Sequence, residues 1–161
     1  VDGVCLTSVD KGIKKLRFDV IEETISRTNI KAIKKGSVVN LERSIKASTE
    51  IGGHLMSGHI HCTGKIKKIL NKNSTKDIIV EFPKKFKEYI FEKGYIGLNG
   101  CSLTLGKVNK ASFYLHLIPE TLVVTNLDKL KVGSLVNIEI DQNTISVVET
   151  VKNTLAAQKS R

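Results

Sequence analysis

The chain alternates apolar and polar residues in several short stretches, and this spacing is typical of β-strands. In residues 16–21, Leu16, Phe18 and Val20 fall on one face of such a strand. Many short strands and few helices predict an all-β fold, a small barrel or sandwich. The other predicted strands cover residues 37–42, 57–66, 77–82, 112–118 and 133–140, many of them bounded by glycines or polar turns.

Three internal segments have helical rather than strand character. Residues 22–29 are short and polar and predict a turn of helix. Pro119 suits the first turn of a second helix, because its missing N–H leaves no donor unpaired there. Phe86 and Tyr89 lie at helical spacing, and Gly94 is a candidate C-cap. These helices are short, so strands dominate the predicted fold.

The C-terminal tail predicts a longer amphipathic helix outside the strand pattern. Ser146 and Glu149 have the spacing of a capping box. Val148, Val151 and Leu155 then follow at i, i+3 and i+7. A stripe of this kind has to be buried, either against the barrel or against copies of the same helix, and the sequence favours neither.

The chain contains one module twice, at a distance of 97 residues. Residues 3–7 read GVCLT and residues 100–104 read GCSLT. Between residues 3–42 and 100–139 there are 14 identities in 40 positions, with no gap. The period is too long for a solenoid, so the repeat predicts two tandem domains of one fold.

The repeated motif has the side-chain arrangement of a ligand-facing strand. Alternation directs Leu103 to the core and places Ser102 and Thr104 together on the opposite face. In the first copy Leu6 points inward, and Cys5 and Thr7 form the outward pair. A small polar pair beside a glycine suits a flat polar ligand close to the backbone, and an ordinary half-exposed strand is the alternative.

The register of the repeat also predicts domain boundaries. The second copy begins near Gly52, so the first would begin roughly 45 residues before Val1. We therefore expect a fragment of a longer chain. The predicted domains are an incomplete N-terminal barrel (1–50), a C-terminal barrel (51–143) and a C-terminal helix with its tail (144–161).

Composition narrows the classes of partner. A net charge of +10 favours an anionic partner, but the lysines are scattered and aromatic residues make up only 5%. Platforms for stacking nucleic-acid bases are therefore scarce. Three irregularly spaced cysteines indicate free thiols in a reducing compartment, by default the cytoplasm. No apolar run reaches the roughly 18 residues of a membrane span. We expect neither a nucleic-acid nor a membrane partner.

A few residues are candidates for chemistry on their own. His59 and His61 share a strand face while Cys62 points away, and no second cluster has zinc spacing, so a metal site is disfavoured. His59 is a candidate proton carrier, with a surface strand histidine as the equal alternative. Cys5 is a candidate nucleophile without a legible partner, and His54, beside two glycines, is a weaker candidate.

Taken together, the motifs closely resemble those of the α-chain riboflavin synthase family. The match runs over nearly the whole chain, but the family's N-terminal start, with its Phe-Thr-Gly-type opening, is not part of the sequence. The matching stretches are residues 3–7 (GVCLT), 51–60 (IGGHLMSGHI), 93–104 (KGYIGLNGCSLT), 116–121 (HLIPET) and 136–141 (VNIEID).

The resemblance implies a fold and a reaction. The expected fold is all-β: two tandem six-stranded Greek-key barrels, the first incomplete, and a C-terminal helix through which three subunits associate. The expected reaction is a transferase dismutation of two molecules of 6,7-dimethyl-8-ribityllumazine to riboflavin and 5-amino-6-ribitylaminouracil, with no cofactor or metal. The two substrates would meet between barrels of neighbouring subunits, and lumazine synthase is a candidate partner.

The resemblance also assigns residues. Ser102, His59 and Asp141 would supply the acid–base group, and Cys5 would face them from the other barrel. The implied C-terminal substrate site consists of Gly58, His59, Ile60, Lys93, Ser102, Leu103, Thr104, His116, Leu117, Ile118, Pro119, Glu120 and Thr121. The implied N-terminal site consists of Cys5, Leu6, Thr7, Asp19, Val20, Ile21, Glu22, Glu23 and Thr24.

Two other functions stay open. A lumazine-binding protein of the same superfamily would keep the pocket without reacting, and the presence of Ser102, His59 and Cys5 favours the enzyme. A small basic barrel that binds single-stranded nucleic acid would show strong, salt-sensitive binding to oligonucleotides.

Overall fold

A computed structural model describes residues 1–12 and 14–160, and most of its regular structure is antiparallel β-sheet. The strands are β1 (Ser8–Lys11), β2 (Leu16–Phe18), β3 (Cys62–Lys72), β4 (Thr75–Glu81), β5 (Tyr95–Leu98), β6 (Cys101–Thr104), β7 (Ser112–Leu117) and β8 (Leu135–Ile140). The α-helices are α1 (Glu22–Arg27), α2 (Pro119–Val124) and α3 (Gln142–Lys159), and 3₁₀ turns cover Asn29–Ala32, Lys84–Tyr89 and Asn126–Lys129.

The second module is a six-stranded sheet that curls around one hydrophobic core. Its strand order is β6-β5-β8-β3-β4-β7. Alternate residues of each strand point inward, so Ile78, Leu115 and Ile138 are almost completely buried. The two end strands do not form a ladder. Instead, Gly106 N donates to Tyr114 O (2.8 Å) just beyond β6, so the sheet is curled but not closed.

The strands predicted for this module are present, but their boundaries differ from the prediction. The strand predicted at residues 57–66 begins later, at Cys62, because residues 57–59 are held by a buried carboxylate instead of a neighbouring strand. The predicted C-cap at Gly94 is wrong. The residue in the left-handed conformation is Lys93 (φ 66°), and its N–H donates to Leu105 O.

The first module is more open than the second. Within the described residues its only ladder joins β1 to β2, and residues 3–7 and 37–42 are not strands, contrary to prediction. A strand needs a paired neighbour, and the backbone of Asn40 instead exchanges hydrogen bonds with Asp2. The inner apolar face, with Phe18 and Val39, lines an open cavity of about 740 Å³.

Part of the internal repeat is reproduced in the structure position by position. Helices α1 and α2 start and end 97 positions apart, as do the 3₁₀ turns that follow them. Thr28 Oγ1 donates to Thr24 O at 2.6 Å, and Thr125 Oγ1 donates to Thr121 O at the same distance. The sequence repeat therefore encodes the same local hydrogen bonds twice.

The two modules meet through a polar cluster that has its own approximate two-fold symmetry. The cluster consists of Asp2, Asn29 and Asn40 and their equivalents Asn99, Asn126 and Asn137. Asn29 N donates to Asn137 Oδ1 (2.6 Å), and the equivalent bond runs from Asn126 N to Asn40 Oδ1 (2.7 Å).

Glycine is required where the modules touch. A Cβ on Gly3 would lie 2.6 Å from Gly100 N, and a Cβ on Gly100 would lie 2.8 Å from Gly3 N. Both residues also have positive φ, which a side chain rarely adopts. This interface fixes the position of the motif at residues 3–7 against the second module.

The C-terminal helix α3 packs one face on the second module. It begins after Asp141, whose Oδ2 accepts from Thr144 N (2.9 Å), so the predicted Ser146–Glu149 capping box is wrong. Glu149 instead bonds the hydroxyl of Tyr89. Ile145 contacts the core, whereas Val147, Val151 and Leu155 are more than half exposed. None of the described helices is long and apolar enough to cross a membrane.

Candidate functional site

Ser102 lies under a glycine-rich loop that carries a histidine. His54 N lies 3.0 Å from Ser102 Oγ and His54 Nδ1 lies 2.6 Å from the same oxygen. Gly53 makes this approach possible, because a Cβ there would be 2.5 Å from Ser102 Oγ and its φ of +131° excludes most side chains. The loop thus places one imidazole directly on the hydroxyl of the repeated motif.

His54 is held as a neutral base in this position. Its ring stacks on Tyr95 with the centroids 5.2 Å apart. Burial lowers the pKa of His54 below its usual 6.5, and the opposing influence of Asp141 and Glu139 does not cancel this. Its Nε2 is buried without a hydrogen-bond partner among the described residues. A neutral imidazole beside a hydroxyl can take up the hydroxyl proton.

A second histidine is oriented through a serine by a buried carboxylate. Glu139, which is 5% exposed, accepts from Ser57 N (2.7 Å) and from Ser57 Oγ (3.0 Å). Ser57 Oγ lies 2.9 Å from His59 Nδ1. Because the serine hydroxyl donates to the carboxylate, it accepts from Nδ1–H, and this leaves Nε2 of a neutral His59 free to accept a proton.

Cys5 contacts Gly58, the residue that precedes this second histidine. Cys5 N donates to Gly58 O at 3.0 Å, and a Cβ on Gly58 would lie 2.7 Å from Cys5 Cβ. The thiol of Cys5 is exposed. The first copy of the motif is therefore in direct contact with the loop that carries His59.

A cavity of about 530 Å³ has Ser102 among its lining residues. Its lining combines hydroxyls, two lysines, one glutamate and one imidazole with apolar side chains, which suits a flat ligand with polar edges. Seven residues assigned to the C-terminal substrate site line it: Lys93, Ser102, Leu103, Thr104, His116, Ile118 and Thr121.

The other assigned C-terminal residues lie outside this lining. Leu117 is completely buried in the core, so its side chain is turned away from the cavity. Gly58, His59 and Ile60 belong to the loop held by Glu139, and Pro119 and Glu120 begin helix α2. Asp141 caps helix α3.

The residues assigned to the N-terminal site are mostly solvent-exposed. Leu6 and Val20 line the 740 Å³ cavity of the first module. That cavity is lined mainly by equivalents of buried core residues, so we interpret it as the uncovered inner face of the module and not as a ligand site. Cys5, Thr7, Asp19, Ile21, Glu22 and Glu23 are exposed, and Thr24 is half-buried.

The remaining cysteines and His61 have structural surroundings. Burial raises the pKa of Cys62 to about 12 and that of Cys101 to about 11, so both stay protonated thiols. His61 Nδ1 accepts from Ile140 N at 3.1 Å, and burial lowers its pKa. Of the three thiols, Cys5 alone is exposed.

Sequence reasoning missed Ser57 and Glu139 and undervalued His54. Glu139 reads as an ordinary strand residue of β8, and only the tertiary structure brings the loop at 57–59 onto it. A signal for His54 was available, because the adjacent Gly52–Gly53 pair indicates a loop that approaches another backbone or side chain closely.

Comparison with known proteins identifies the family of this chain. The lumazine binding domain family model matches residues 1–44 and 57–141. The chain is 46% identical over 160 residues to the riboflavin synthase of Escherichia coli (strain K12), covering 99% of this chain and 75% of that protein. It is 43% identical over 157 residues to the riboflavin synthase of Chlamydia pneumoniae, covering 98% and 76%.

Solved structures agree with the fold. A LumP complex with riboflavin matches with a TM-score of 0.80 and 26% identity, covering 86% of this chain and 75% of that one. A LumP complex with 6,7-dimethyl-8-(1'-D-ribityl) lumazine gives a TM-score of 0.78 and 25% identity, covering 86% and 74%. The family match and the identities to curated relatives lead to one conclusion: the chain belongs to the lumazine-binding domain family and, within it, to the riboflavin synthases.

Proposed function

We propose that this chain catalyses the dismutation of two molecules of 6,7-dimethyl-8-ribityllumazine into riboflavin and 5-amino-6-ribitylaminouracil. One molecule donates a four-carbon unit and the other receives it, so the atoms balance without a cofactor. The observation that carries the proposal is the 530 Å³ cavity lined by Ser102, whose hydroxyl contacts His54, in a chain 46% identical to a riboflavin synthase.

The C-terminal cavity is proposed to hold one substrate. Ser102 and Thr104 would bond the polar edge of the ring system, and Leu103 and Ile118 would contact its face. His116 and Thr121 would line the ribityl chain, with Lys93 near the opening. The cavity volume suits a ligand of this size.

Acid–base chemistry is proposed for His59 and for the pair of Ser102 and His54. Removal of a proton from a lumazine methyl group needs a positioned base, and the contact of His59 Nδ1 with Ser57 leaves Nε2 to take up the proton. Ser102 with His54 is the other proton-accepting pair. Asp141 adds negative charge near His54, and the exposed thiol of Cys5 is the candidate nucleophile beside Gly58.

The second substrate is proposed to lie against the first module of a neighbouring subunit. Its site would include Cys5, Leu6, Thr7 and residues 19–24 in the domain 1–50, facing the domain 51–143 of the partner. Holding two copies of one molecule face to face supplies much of the rate through orientation.

A homotrimer formed through residues 144–161 would bring these surfaces together. The exposed stripe of Val147, Val151 and Leu155 on α3 supports association through this helix. The substitution Val151→Glu should shift sedimentation from trimer to monomer, and Asn153→Glu, on another face of the helix, should not. An unchanged trimer in Val151→Glu would contradict the helix-mediated assembly.

The decisive assay is release of riboflavin from 6,7-dimethyl-8-ribityllumazine. We expect riboflavin and ribitylaminouracil to form in a 1:1 ratio. The substitution Ser102→Ala should lower kcat by about 100-fold, because the hydroxyl and its histidine act together. The exposed Ser48→Ala is the matched control. Binding of the lumazine with an unchanged absorbance spectrum over hours would contradict catalysis and indicate a binding protein.

A non-catalytic lumazine-binding function is not favoured. The two LumP structures are 26% and 25% identical to the chain, compared with 46% and 43% for riboflavin synthases. We place the protein in the cytoplasm on the basis of its three free cysteines, and lumazine synthase stays a candidate partner.

A further inference from the structure

His116 and Asp77 face each other at the edge of the 530 Å³ cavity. They are directly opposite in the β4–β7 ladder, and opposite residues of an antiparallel pair project from the same face. His116 Nδ1 lies 2.7 Å from Asp77 Oδ1. The imidazole lines the cavity, and a Cβ on the lining residue Gly106 would be 2.8 Å from His116 Nε2. One ring nitrogen therefore meets a carboxylate and the other meets the cavity wall.

The carboxylate of Asp77 is kept ionised by a nearby lysine. Asp77 is 5% exposed, and Lys72 Nζ lies 2.5 Å from its Oδ2. The hydrogen bonds from Lys72 and His116 lower the pKa of Asp77 below its usual value. An ionised carboxylate can only accept hydrogen bonds, so Nδ1 of His116 carries a proton. In the neutral imidazole, Nε2 is then a bare acceptor.

We propose that Asp77 is a positioning residue, which fixes His116 in the tautomer whose Nε2 accepts a hydrogen bond from a hydroxyl of the ligand's ribityl chain. This inference rests on the proposed function. A polyol chain offers several hydroxyl donors, whereas the ring offers mainly carbonyl and ring-nitrogen acceptors and a single imide N–H donor, so a bare imidazole nitrogen favours the chain. Lys72 acts through Asp77, because its ammonium group keeps the Asp77 carboxylate ionised when His116 is neutral.

The same strand provides a matched control. Lys76, adjacent to Asp77, forms an ion pair with Asp128 at 2.6 Å, and neither residue lines the cavity. Asp128→Asn therefore removes a carboxylate partner of a lysine on β4 without touching His116. Any effect of Asp77→Asn that Asp128→Asn shares is a general effect on the sheet.

The first measurement is the tautomer of His116, read from the ¹⁵N chemical shifts of its imidazole at a pH where the ring is neutral. In Asp77→Asn, Lys72 takes the amide oxygen and the amide NH₂ faces the ring. Nδ1 must then accept, and the proton moves to Nε2. We expect the protonated nitrogen to switch in Asp77→Asn and not in Asp128→Asn. An unchanged tautomer would overturn the inference.

The second measurement compares two ligands by fluorescence titration. One is 6,7-dimethyl-8-ribityllumazine, and the other is 6,7,8-trimethyllumazine, which has a methyl group in place of the chain. Asp77→Asn should weaken binding of the ribityl ligand about tenfold and leave the trimethyl ligand unchanged, because one hydrogen bond to the chain is lost. Equal weakening of both ligands would overturn the inference while the proposed function stands.

A third variant covers the case in which Asp77→Asn does not fold. His116 is largely exposed, so His116→Ala leaves the core intact. It should show the same selective loss of the ribityl ligand, and a loss shared by both ligands would again overturn the inference. If neither ligand binds the wild-type protein although the tautomer switch occurs, the proposed function fails and the role of Asp77 fails with it.

Discussion

The hydroxyl of Ser102 is contacted twice by His54, once by its backbone nitrogen and once by its imidazole. The backbone N–H of His54 donates to the oxygen, so the imidazole is left to exchange the hydroxyl proton. The ring itself is held by stacking on Tyr95. Histidine at this position therefore combines a geometric role with a proton-accepting one.

The protonation of His54 should be visible in the acid stability of the protein. Its pKa is lowered in the folded state, so as pH falls through 6.5 the unfolded chain binds a proton that the folded protein does not. Below pH 6.5 the Tm of the wild-type protein should fall relative to the Tm of His54→Gln. Above pH 6.5 the difference between the two Tm values should be constant. Thermal melts from pH 5 to 8 measure this. A difference that does not change with pH would show that folding leaves the pKa of His54 unshifted, which would contradict a neutral, desolvated ring.

The carboxylate of Glu139 holds the loop at residues 57–59 in place, so its loss should destabilise the protein. It accepts from Ser57 N, Ser57 Oγ and Gly58 N. In Glu139→Gln an NH₂ group faces one or more of these donors. We expect a loss of about 1–3 kcal/mol in the free energy of unfolding and a lower kcat, because His59 loses its orientation. Urea titration and steady-state kinetics measure both quantities. The exposed Glu50→Gln is the control, and equal values for the two variants would contradict this role.

At the scale of elements, Asp141 joins the last strand to the last helix and is also a proposed site residue. Its two roles can be separated by substitution. Asp141→Asn keeps an N-cap acceptor, whereas Asp141→Ala removes it and should cost about 1 kcal/mol of stability. If the charge also acts near His54, Asp141→Asn should lower kcat while Tm stays close to wild type. Full activity in Asp141→Asn would restrict the residue to its capping role.

The sequence predicted the elements of the second module well and those of the first less well. Alternation located β7 and β8, and the repeat predicted that α1 and α2 are equivalent. The pattern at residues 37–42 is equally strand-like, but a strand requires a hydrogen-bonded neighbour, which periodicity cannot supply. The helix start at Asp141 was missed because the spacing of Ser146 and Glu149 occurs inside the helix as well as at its start.

The site was predictable to the extent that it lies on the repeated motif. Ser102 and Thr104 follow from alternation and the repeat, and both line the cavity. The pairing of His116 with Asp77 depends on the register between β4 and β7, and the contact of Glu139 with Ser57 joins residues 82 positions apart. Contacts of this kind are set by the tertiary structure and leave no local pattern.

At the scale of the whole molecule, the polar cluster between the modules has the same residue types in both copies except at one position. Asp2 occupies the position that Asn99 occupies in the second module, and the two have nearly the same backbone conformation (φ 48° and 47°). Asp2 accepts from Asn40 N, Asn29 Nδ2 and Asn126 Nδ2. Asn99 instead donates through Nδ2 to Asn126 Oδ1. The amide of Asn126 thus requires an acceptor on one side and a donor on the other.

The difference between Asp2 and Asn99 leads to a prediction that does not follow from the repeat alone. Although asparagine is the residue at the equivalent position, Asp2→Asn should destabilise the protein by about 1–3 kcal/mol, because its NH₂ group would face the amide donors of Asn29 or Asn126. Those amides cannot simply rotate, since Asn29 Oδ1 already accepts from Asn137 Nδ2. Urea unfolding of Asp2→Asn beside the exposed Asp10→Asn measures the difference. Because the cluster joins the two modules, the loss should appear in the unfolding of both. A stability equal to that of Asp10→Asn would mean that the modules are held together by other contacts.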